Sequence, residues 1–465
     1  MGGRAGCAGG SVHVNGTRSS AAQSAASQRL AGWGNYPTLR TELAGGDVAA
    51  LGALVRERPS LIARGNGRSY GDSTLNAHCV ASTLALNRIL AFDREHGRVT
   101  AEAGVMLGDL LEVLIPAGWF VPVTPGTRHV TLGGMLAADV HGKRPGGAGF
   151  GAHVEAFTLL LASGEAVHVD PASRPELFHA TVGGMGLTGV VLDLTFRLTA
   201  IETPWIVRET VAAAGLDALL DLFAESHAWP YAVAWIDCLA SGAKQGRSLF
   251  QRARHARADE RPPTAGPTHP PERRRLRVPI FLPSGTLNGS TVRLFNAAYY
   301  RLGRARAGHD HVDYRTFFYP LDHLVDWNRI YGRRGFVQYQ CVLPAARSRT
   351  GLRALLDRIG AARRGSFLAV LKRLGTDESG YLAFPMDGYT LALDFPMGPG
   401  VLALLDELDR IVRAHEGRLY LAKDARCPPA MVEAGYPSLE RFRAVRQEVD
   451  PQRRFNSLQA IRLGL

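Results

Sequence analysis

The residues with the clearest chemical potential form one short run, residues 64–72, which reads R-G-N-G-R-S-Y-G-D and is entered from the apolar Leu61-Ile62-Ala63. Its glycines, Gly65, Gly67 and Gly71, permit φ > 0 and let bare amides approach a ligand, the way backbone holds phosphate. Arg64 and Arg68 add charge beside them. The spacing G-x-G-x-x-x-G has no following Gly-Lys-Ser/Thr, so it is neither a P-loop nor the usual dinucleotide fingerprint. It also leads into the strand-like V-A-S-T-L-A-L, where a dinucleotide fold would open a helix. A second cluster, P-G-T-R-H-V-T-L-G-G-M-L-A-A-D-V-H-G-K, fills residues 125–143, and a third, V-G-G-M-G-L-T-G-V-V-L-D-L-T-F, residues 182–196. Three such clusters within about 130 residues point to a large, flat, phosphate-bearing cofactor touched by backbone from several loops.

The elements that must position these loops are partly legible. Residues 48–58 read as an amphipathic helix capped by Asp47 and ended by Pro59. A short strand then feeds the first glycine loop. Residues 83–86, 98–103 and 165–169 read as strands, and 107–115 as a helix stopped by Pro116. Residues 132–140 read as a short helix with Gly133 and Gly134 in its first turn, its N–H groups open to an anion. This mixture predicts an α+β fold rather than a regular βαβ series.

A chain of 465 residues, 46% hydrophobic, has room for two domains with their own cores. No apolar run reaches the roughly 18 residues that cross a bilayer, and no secretory signal opens the chain. The expectation is a soluble, cytoplasmic protein with a loose Gly/Ala/Ser-rich start over residues 1–32. Five scattered cysteines without a C-x-x-C pair argue against zinc or a disulfide framework, and no metal is expected. Net charge is +12, and residues 241–277 hold ten Lys/Arg against three Asp/Glu. With five prolines and no periodicity, that segment reads as a basic surface loop, disordered over about 241–290. It would serve as a linker, a lid, or a peripheral membrane contact for anionic headgroups. Nucleic acid ranks last and is not expected as a partner, because no aromatic residue except Phe250 interleaves with those arginines and no base-reading motif accompanies them.

The three glycine clusters together resemble the FAD-binding domain of the PCMH-type, or vanillyl-alcohol-oxidase, flavoprotein family. The likeness continues through W-N-R-I-Y-G (327–332), F-V-Q-Y-Q (336–340) and G-R-L-Y-L-A-K-D-A-R (417–426), and fades in the basic segment and the first thirty residues. It implies a two-domain fold: an FAD-binding domain at 33–205, a substrate or cap domain inserted at 206–413 on an antiparallel sheet, and a C-terminal segment, 414–465, completing the first domain. Strands at 231–237, 337–343 and 390–395 would roof the flavin. Within the family the likeness is strongest to members that oxidise the C2 hydroxyl of a polyprenylphosphoryl ribose to a 2-keto sugar. That is the first half of epimerisation to the arabinose form in cell-wall arabinan synthesis. The implied partners are a lipid-linked sugar phosphate substrate and an NAD(P)H-dependent short-chain reductase. An oxygen-using oxidase of a soluble polyol, sugar or hydroxy acid is the alternative, and a flavin carrier without turnover a third reading.

By the same resemblance the cofactor would be held by Arg64, Gly65, Asn66, Gly67, Arg68, Ser69, Tyr70, Gly71 and Asp72; by Gly126, Thr127, Val130, Thr131, Leu132, Gly133, Gly134, Ala138, Asp139, Val140 and His141; and by Val191, Tyr420 and Lys423. Lys423 is the leading catalytic candidate, holding the negative charge of the reduced flavin or acting as base if burial lowers its pKa. His141, Lys143, Gln340 and Lys372 would line the pocket. Trp235 and Phe318 would form an apolar wall or pack the core. Many relatives carry a flavin-linked histidine in the first loop; this one reads R-S-Y-G-D, so FAD is expected to be non-covalent. Ala392 stands where mycobacterial members carry a cysteine, and Phe318-Tyr319-Pro320 departs from the usual tyrosine-histidine-proline.

Overall fold

The computed structural model describes residues 12–13, 23–262, 275–283 and 285–465. A four-stranded sheet, ordered Gln23–Ala31, Thr38–Gly45, Cys79–Ser82, Leu61–Arg64, carries the first glycine loop at its end. The helix Val48–Glu57 makes the crossover between parallel strands; Asp47 caps it by accepting from the Ala50 amide at 2.9 Å, and Leu51, Leu54 and Val55 are buried beneath it. Leu61–Arg64 runs parallel to Cys79–Ser82 and is flanked by the C-terminal chain, whose Arg454 carbonyl and Asn456 amide bond Leu61 at 2.9 Å each.

Two sequence expectations shift here. Residues 83–86 form a turn closed by the Leu86 amide on the Thr83 carbonyl; the strand is Cys79–Ser82, buried throughout and therefore without alternation to mark its bounds. The tail of the expected loose start, Gln23–Ala31, is a strand antiparallel to Thr38–Gly45, with Leu30 opposite Leu39. Its Ala/Ser composition lacks the β-branched residues that announce strands. Apart from 12–13, the remainder of the start up to residue 22 lies outside the described residues.

An antiparallel six-stranded sheet follows, ordered Val12–His13, Arg88–Asp93, Arg98–Glu102, Val190–Arg197, Val154–Leu160, Ala166–Val169. The helices Leu107–Leu114, Leu132–Ala137 and Pro175–Thr181 pack with it, around Phe150, Phe157, Phe178 and Phe196. These two sheets and their helices make the α+β arrangement that the resemblance implies.

The third sheet is antiparallel and eight-stranded: Gly308–Asp313, Trp205–Ala213, Ser248–His255, Tyr231–Ile236, Val370–Leu374, Gly388–Pro396, Phe336–Pro344, Arg418–Leu419. The helices Leu216–Glu225, Ala345–Ala362 and Val401–Ala414 lie along it with apolar stripes buried. Its register aligns Trp235, Val370, Ala392 and Gln340 on one face.

Ser248–His255 corrects the disorder expected over 241–290. It is an interior strand with Leu249, Phe250 and Ala253 buried. Arginines hid its periodicity, and they are neutralised locally: Arg252 by Glu209 opposite it, Arg254 by Glu260, Arg247 by Asp237. Gly289–Ala305 is likewise a helix. Residues 263–274 lie outside the described residues.

The chain's last helix, Leu458–Leu463, returns to the glycine loop. Arg462 binds Asp72 through Nη2 (2.9 Å) and Nε (3.2 Å), and Asp424 through Nη2 (2.7 Å). Both carboxylates are buried. The guanidinium and two backbone amides hold the Asp424 carboxyl below its usual range against burial, whereas burial keeps Asp72 raised. Removing one partner from a buried ion cluster typically costs about 3–5 kcal/mol. Arg462→Met should therefore lower unfolding stability by about 3 kcal/mol in urea titration; a loss under about 0.5 kcal/mol, the surface norm, would mean the cluster contributes nothing net.

Candidate active site

The strand Leu61–Arg64 delivers the chain to a loop whose side chains are fastened and whose amides are not. Arg64 donates to the Ala31 carbonyl (2.7 Å) and to Thr74 Oγ1 (2.8 Å), so its guanidinium holds chain to chain rather than standing free for a ligand. Asn66 Nδ2 donates to the His129 carbonyl at 2.8 Å, tying the first glycine loop to the second. Arg68 lies 4.0 Å over the Trp33 ring. Gly67 takes φ 63°, and a Cβ at Gly65 would sit 2.1 Å from Thr131 Oγ1, so glycine is required at both. Among the described residues, none of the amides from Gly65 to Ser69, nor those of Gly126 and Thr127, has a hydrogen-bond partner. Gly126 faces open space. These amides fit an anionic diphosphate.

The short helix does not join them. Thr131 caps Leu132–Ala137, the Leu132 and Gly133 amides bond the Val105 and Ala103 carbonyls, and the Gly134 amide bonds Thr131 Oγ1. Its expected open N-terminus is closed by the preceding turn. Leu132 and Val140 are packed in the core, as is Val191 in its strand. Asp139 is fully buried: Oδ1 accepts from the Gly151 amide at 2.8 Å, and burial with the neighbouring Asp377 carboxylate raises its pKa far above the usual range. It binds its own fold rather than facing a ligand.

Beside the loop, basic groups from three parts of the chain converge. Gln340 Nε2 donates to His141 Nε2 (2.8 Å) and to Thr390 Oγ1 (3.1 Å). In that assignment the His141 proton sits on Nδ1, which is buried and has no partner. Burial, then Lys372 and Lys423, push His141 well below its usual pKa, keeping it neutral. Its ring packs against the stacked pair Phe384 and Tyr420, and Tyr420 Oη donates to the Ala138 carbonyl at 2.8 Å. Burial lowers Lys372 to about 8. Lys423 lies 3.8 Å from the Tyr70 ring centroid and is lowered to about 7 by burial, with Lys372 adding and Asp394 opposing. Lys143 stands further off, donating to the Phe317 carbonyl, and burial lowers it strongly. None of the three lysines forms an ion pair among the described residues.

Sequence reasoning passed over the one carboxylate in this group. Asp394 receives Gln338 Nε2 (2.6 Å) and Tyr331 Oη (3.1 Å), and burial raises it to about 6. Period-two alternation from Thr390 through Ala392 puts Asp394 on the same face, which was a usable signal. Phe318 is core, packed on Phe120 and Tyr231, whereas Trp235 stays half-buried on the sheet face with Nε1 on the Phe367 carbonyl. Tyr319 bonds Thr124 through its hydroxyl at 2.6 Å.

Amides suited to a diphosphate, beside a cluster of unpaired cations, match what known proteins report. Residues 46–170 match an FAD-binding domain family, and residues 376–463 a D-arabinono-1,4-lactone oxidase family. Decaprenylphosphoryl-beta-D-ribose oxidase of Mycolicibacterium smegmatis is 36% identical over 94% of this chain and 98% of its own length. A Streptomyces coelicolor protein of undetermined function is 38% identical over 78% of this chain and its entire length. L-gulonolactone oxidase of Scyliorhinus torazame is 32% identical over 29% of this chain and 30% of its own. The chain belongs to the family of FAD-binding oxidoreductases that includes decaprenylphosphoryl-beta-D-ribose oxidase.

Proposed function

We propose that this enzyme oxidises the C2 hydroxyl of a polyprenylphosphoryl ribose to the 2-keto sugar. A separate NAD(P)H-dependent short-chain reductase would then return the sugar as its arabinose epimer. The observation that carries the reading is the set of unpaired basic groups, Lys423, Lys372 and His141, beside the open amides of the glycine loop. Bound FAD supplies the hydride acceptor; the protein supplies position and charge. The amides of Gly65–Ser69 and Gly126–Thr127 would take the diphosphate. Lys423, poised near neutrality, can accept the alcohol proton as a free amine or offer positive charge as an ammonium. Asp394 raises the Lys423 pKa by charge and so sets the balance between those forms. Gln340 fixes the His141 tautomer, leaving Nδ1–H to donate. Lys143, at the Phe317 end, is a polar contact for the substrate.

The match of residues 376–463 to the D-arabinono-1,4-lactone oxidase family favours one second reading, oxygen-dependent oxidation of a small soluble sugar or lactone. Anaerobic flavin reduction separates the two. Farnesylphosphoryl ribose should bleach the flavin and free sugars or lactones should not; bleaching by the small substrates with peroxide release in air would favour the second reading.

Lys423→Ala should lower kcat by about 10²–10⁴-fold with FAD still bound, the usual contribution of a positioned acid or base. Near-normal turnover would refute its role. If the free amine is the base, kcat/KM should rise with pH through about 7.

Lys423 also leaves a signature on stability. Its pKa is lowered from 10.5 to about 7, so the unfolded chain binds the extra proton between those values and stability rises with pH across that window. The penalty is complete below pH 7 and absent above 10.5. Lys423→Met should therefore raise the melting temperature of flavin-free protein at pH 6 and leave it unchanged near pH 10.5. An equal shift at both pH values would place the effect in packing.

Tyr70 sits under Lys423 with its hydroxyl buried, and no histidine occupies the loop. FAD should be released on acid precipitation, leaving a yellow supernatant; colour retained in the pellet would establish a covalent link.

A further inference from the structure

Eleven large apolar residues are notably exposed in the described structure, and seven of them fall between Leu276 and Leu302. The centre of this concentration is the helix Gly289–Ala305, capped by Asn288, whose Oδ1 accepts from the Ser290 and Thr291 amides. One stripe seats it on the eight-stranded sheet: Val292, Asn296 and Tyr300 are buried at i, i+4, i+8. Asn296 Nδ2 bonds Asp237 at 2.9 Å, and Tyr300 Oη bonds the Ala213 carbonyl at 3.2 Å. The side away from the sheet is sorted in two. Leu294 (74% exposed), Ala298 and Leu302 (59%) recur at four-residue spacing, with Phe295 beside them. Arg293, Arg301 and Arg304 hold the adjoining flank, exposed and without an ion pair among the described residues. Just upstream, Leu276, Ile280 (65%) and Phe281 are exposed on a segment pinned by the parallel pairing of Leu276–Arg277 with Leu324–Val325. From Arg275 to His309 the sequence has six arginines and no carboxylate.

An apolar stripe edged by arginines is the chemistry of a helix lying in the plane of an anionic membrane, Leu and Phe among the acyl chains and guanidinium groups at the phosphates. A second copy of this chain is a poor occupant. A two-fold contact would set Arg293, Arg301 and Arg304 against their equals, and none of the three has an acidic partner among the described residues. No described helix is long and apolar enough to cross a membrane, so the contact would be peripheral.

The patch is one aromatic layer from the site. Tyr299 packs on Trp235 at 4.8 Å, and Trp235 is in register with Val370, Ala392 and Gln340. Phe295 packs on Phe367, Phe367 on Tyr331, and Tyr331 Oη bonds Asp394. We propose that the outward face of Gly289–Ala305, with Leu276, Ile280 and Phe281, docks on an anionic lipid bilayer and turns this edge of the pocket toward the hydrocarbon. The docking stands on the surface alone; its service to the active site rests on the lipid-linked substrate proposed above.

Flotation of the holoprotein with phosphatidylcholine vesicles, with and without phosphatidylglycerol, tests this. Binding should appear on the anionic vesicles only and fall at least about tenfold between low and high salt, as screening requires. The double variant Leu294→Glu/Leu302→Glu, altered only at exposed positions, should lose at least about tenfold in vesicle partition. It should reduce its flavin with detergent-dispersed farnesylphosphoryl ribose at the wild-type rate, but slowly with a long-chain substrate embedded in vesicles. Absent or charge-indifferent binding, wild-type partition by the variant, or a dimer in sedimentation that the variant breaks would each overturn the docking. Binding that survives while polyprenylphosphoryl ribose leaves the flavin oxidised would keep the docking and sink the substrate.

Discussion

One half-buried guanidinium holds the last helix of this chain to the glycine loop and to the turn that carries Lys423. Arg462, three residues from the last, neutralises Asp72 at the exit of the glycine loop and Asp424 directly after Lys423. The loop that would carry the diphosphate and the lysine that would meet the substrate are therefore referenced to one charge. The same loop is held from its other side, where the Trp33 amide bonds the Ser69 carbonyl and the Tyr70 amide the Ala422 carbonyl. These bonds and the side chains fasten the loop; the amides from Gly65 to Ser69 stay available. A loop fixed in this way offers donors at little further ordering entropy.

The charge logic of the site is opposite in kind. At the clamp, one cation answers two carboxylates. At the pocket, Lys372, Lys423 and His141 gather near one carboxylate, Asp394, and the histidine stays neutral because burial and the two lysines forbid its charging. Lysines whose pKa is lowered toward neutrality, as those of Lys423 and Lys372 are, are what proton transfer and stabilisation of developing negative charge both require. Asp394 moderates the set, and its own hydrogen bonds from Tyr331 and Gln338 keep it in place.

Local signals in the sequence were readable where one residue type forces one geometry. Asp47 and Pro59 bound a helix, Pro116 stopped another, and Gly67 takes the left-handed conformation that glycine alone adopts cheaply. The strand Ser248–His255 was hidden because its arginines are neutralised by acids outside the strand, Glu209 on its neighbour and Glu260 just beyond its end, which composition cannot reveal. Gln23–Ala31 was hidden because its stability comes from pairing with Thr38–Gly45 rather than from propensity. The helix at Leu132 was legible, yet the closure of its first turn depends on the Ala103 and Val105 carbonyls arriving from another strand's end. The convergence of Lys372, Lys423 and His141 rested on likeness to relatives. No periodicity joins residues 141, 372 and 423 before the sheets bring them together.

The unanswered positive charge has a consequence for the life of the protein. A chain that buries Lys143, Lys372 and Lys423 with one carboxylate near them pays for their desolvation on folding, so a dinucleotide that binds only the folded form would stabilise it as well as serve as a reagent. In a cell short of riboflavin the newly made chain would linger in open states that proteases recognise, and its abundance would follow vitamin supply.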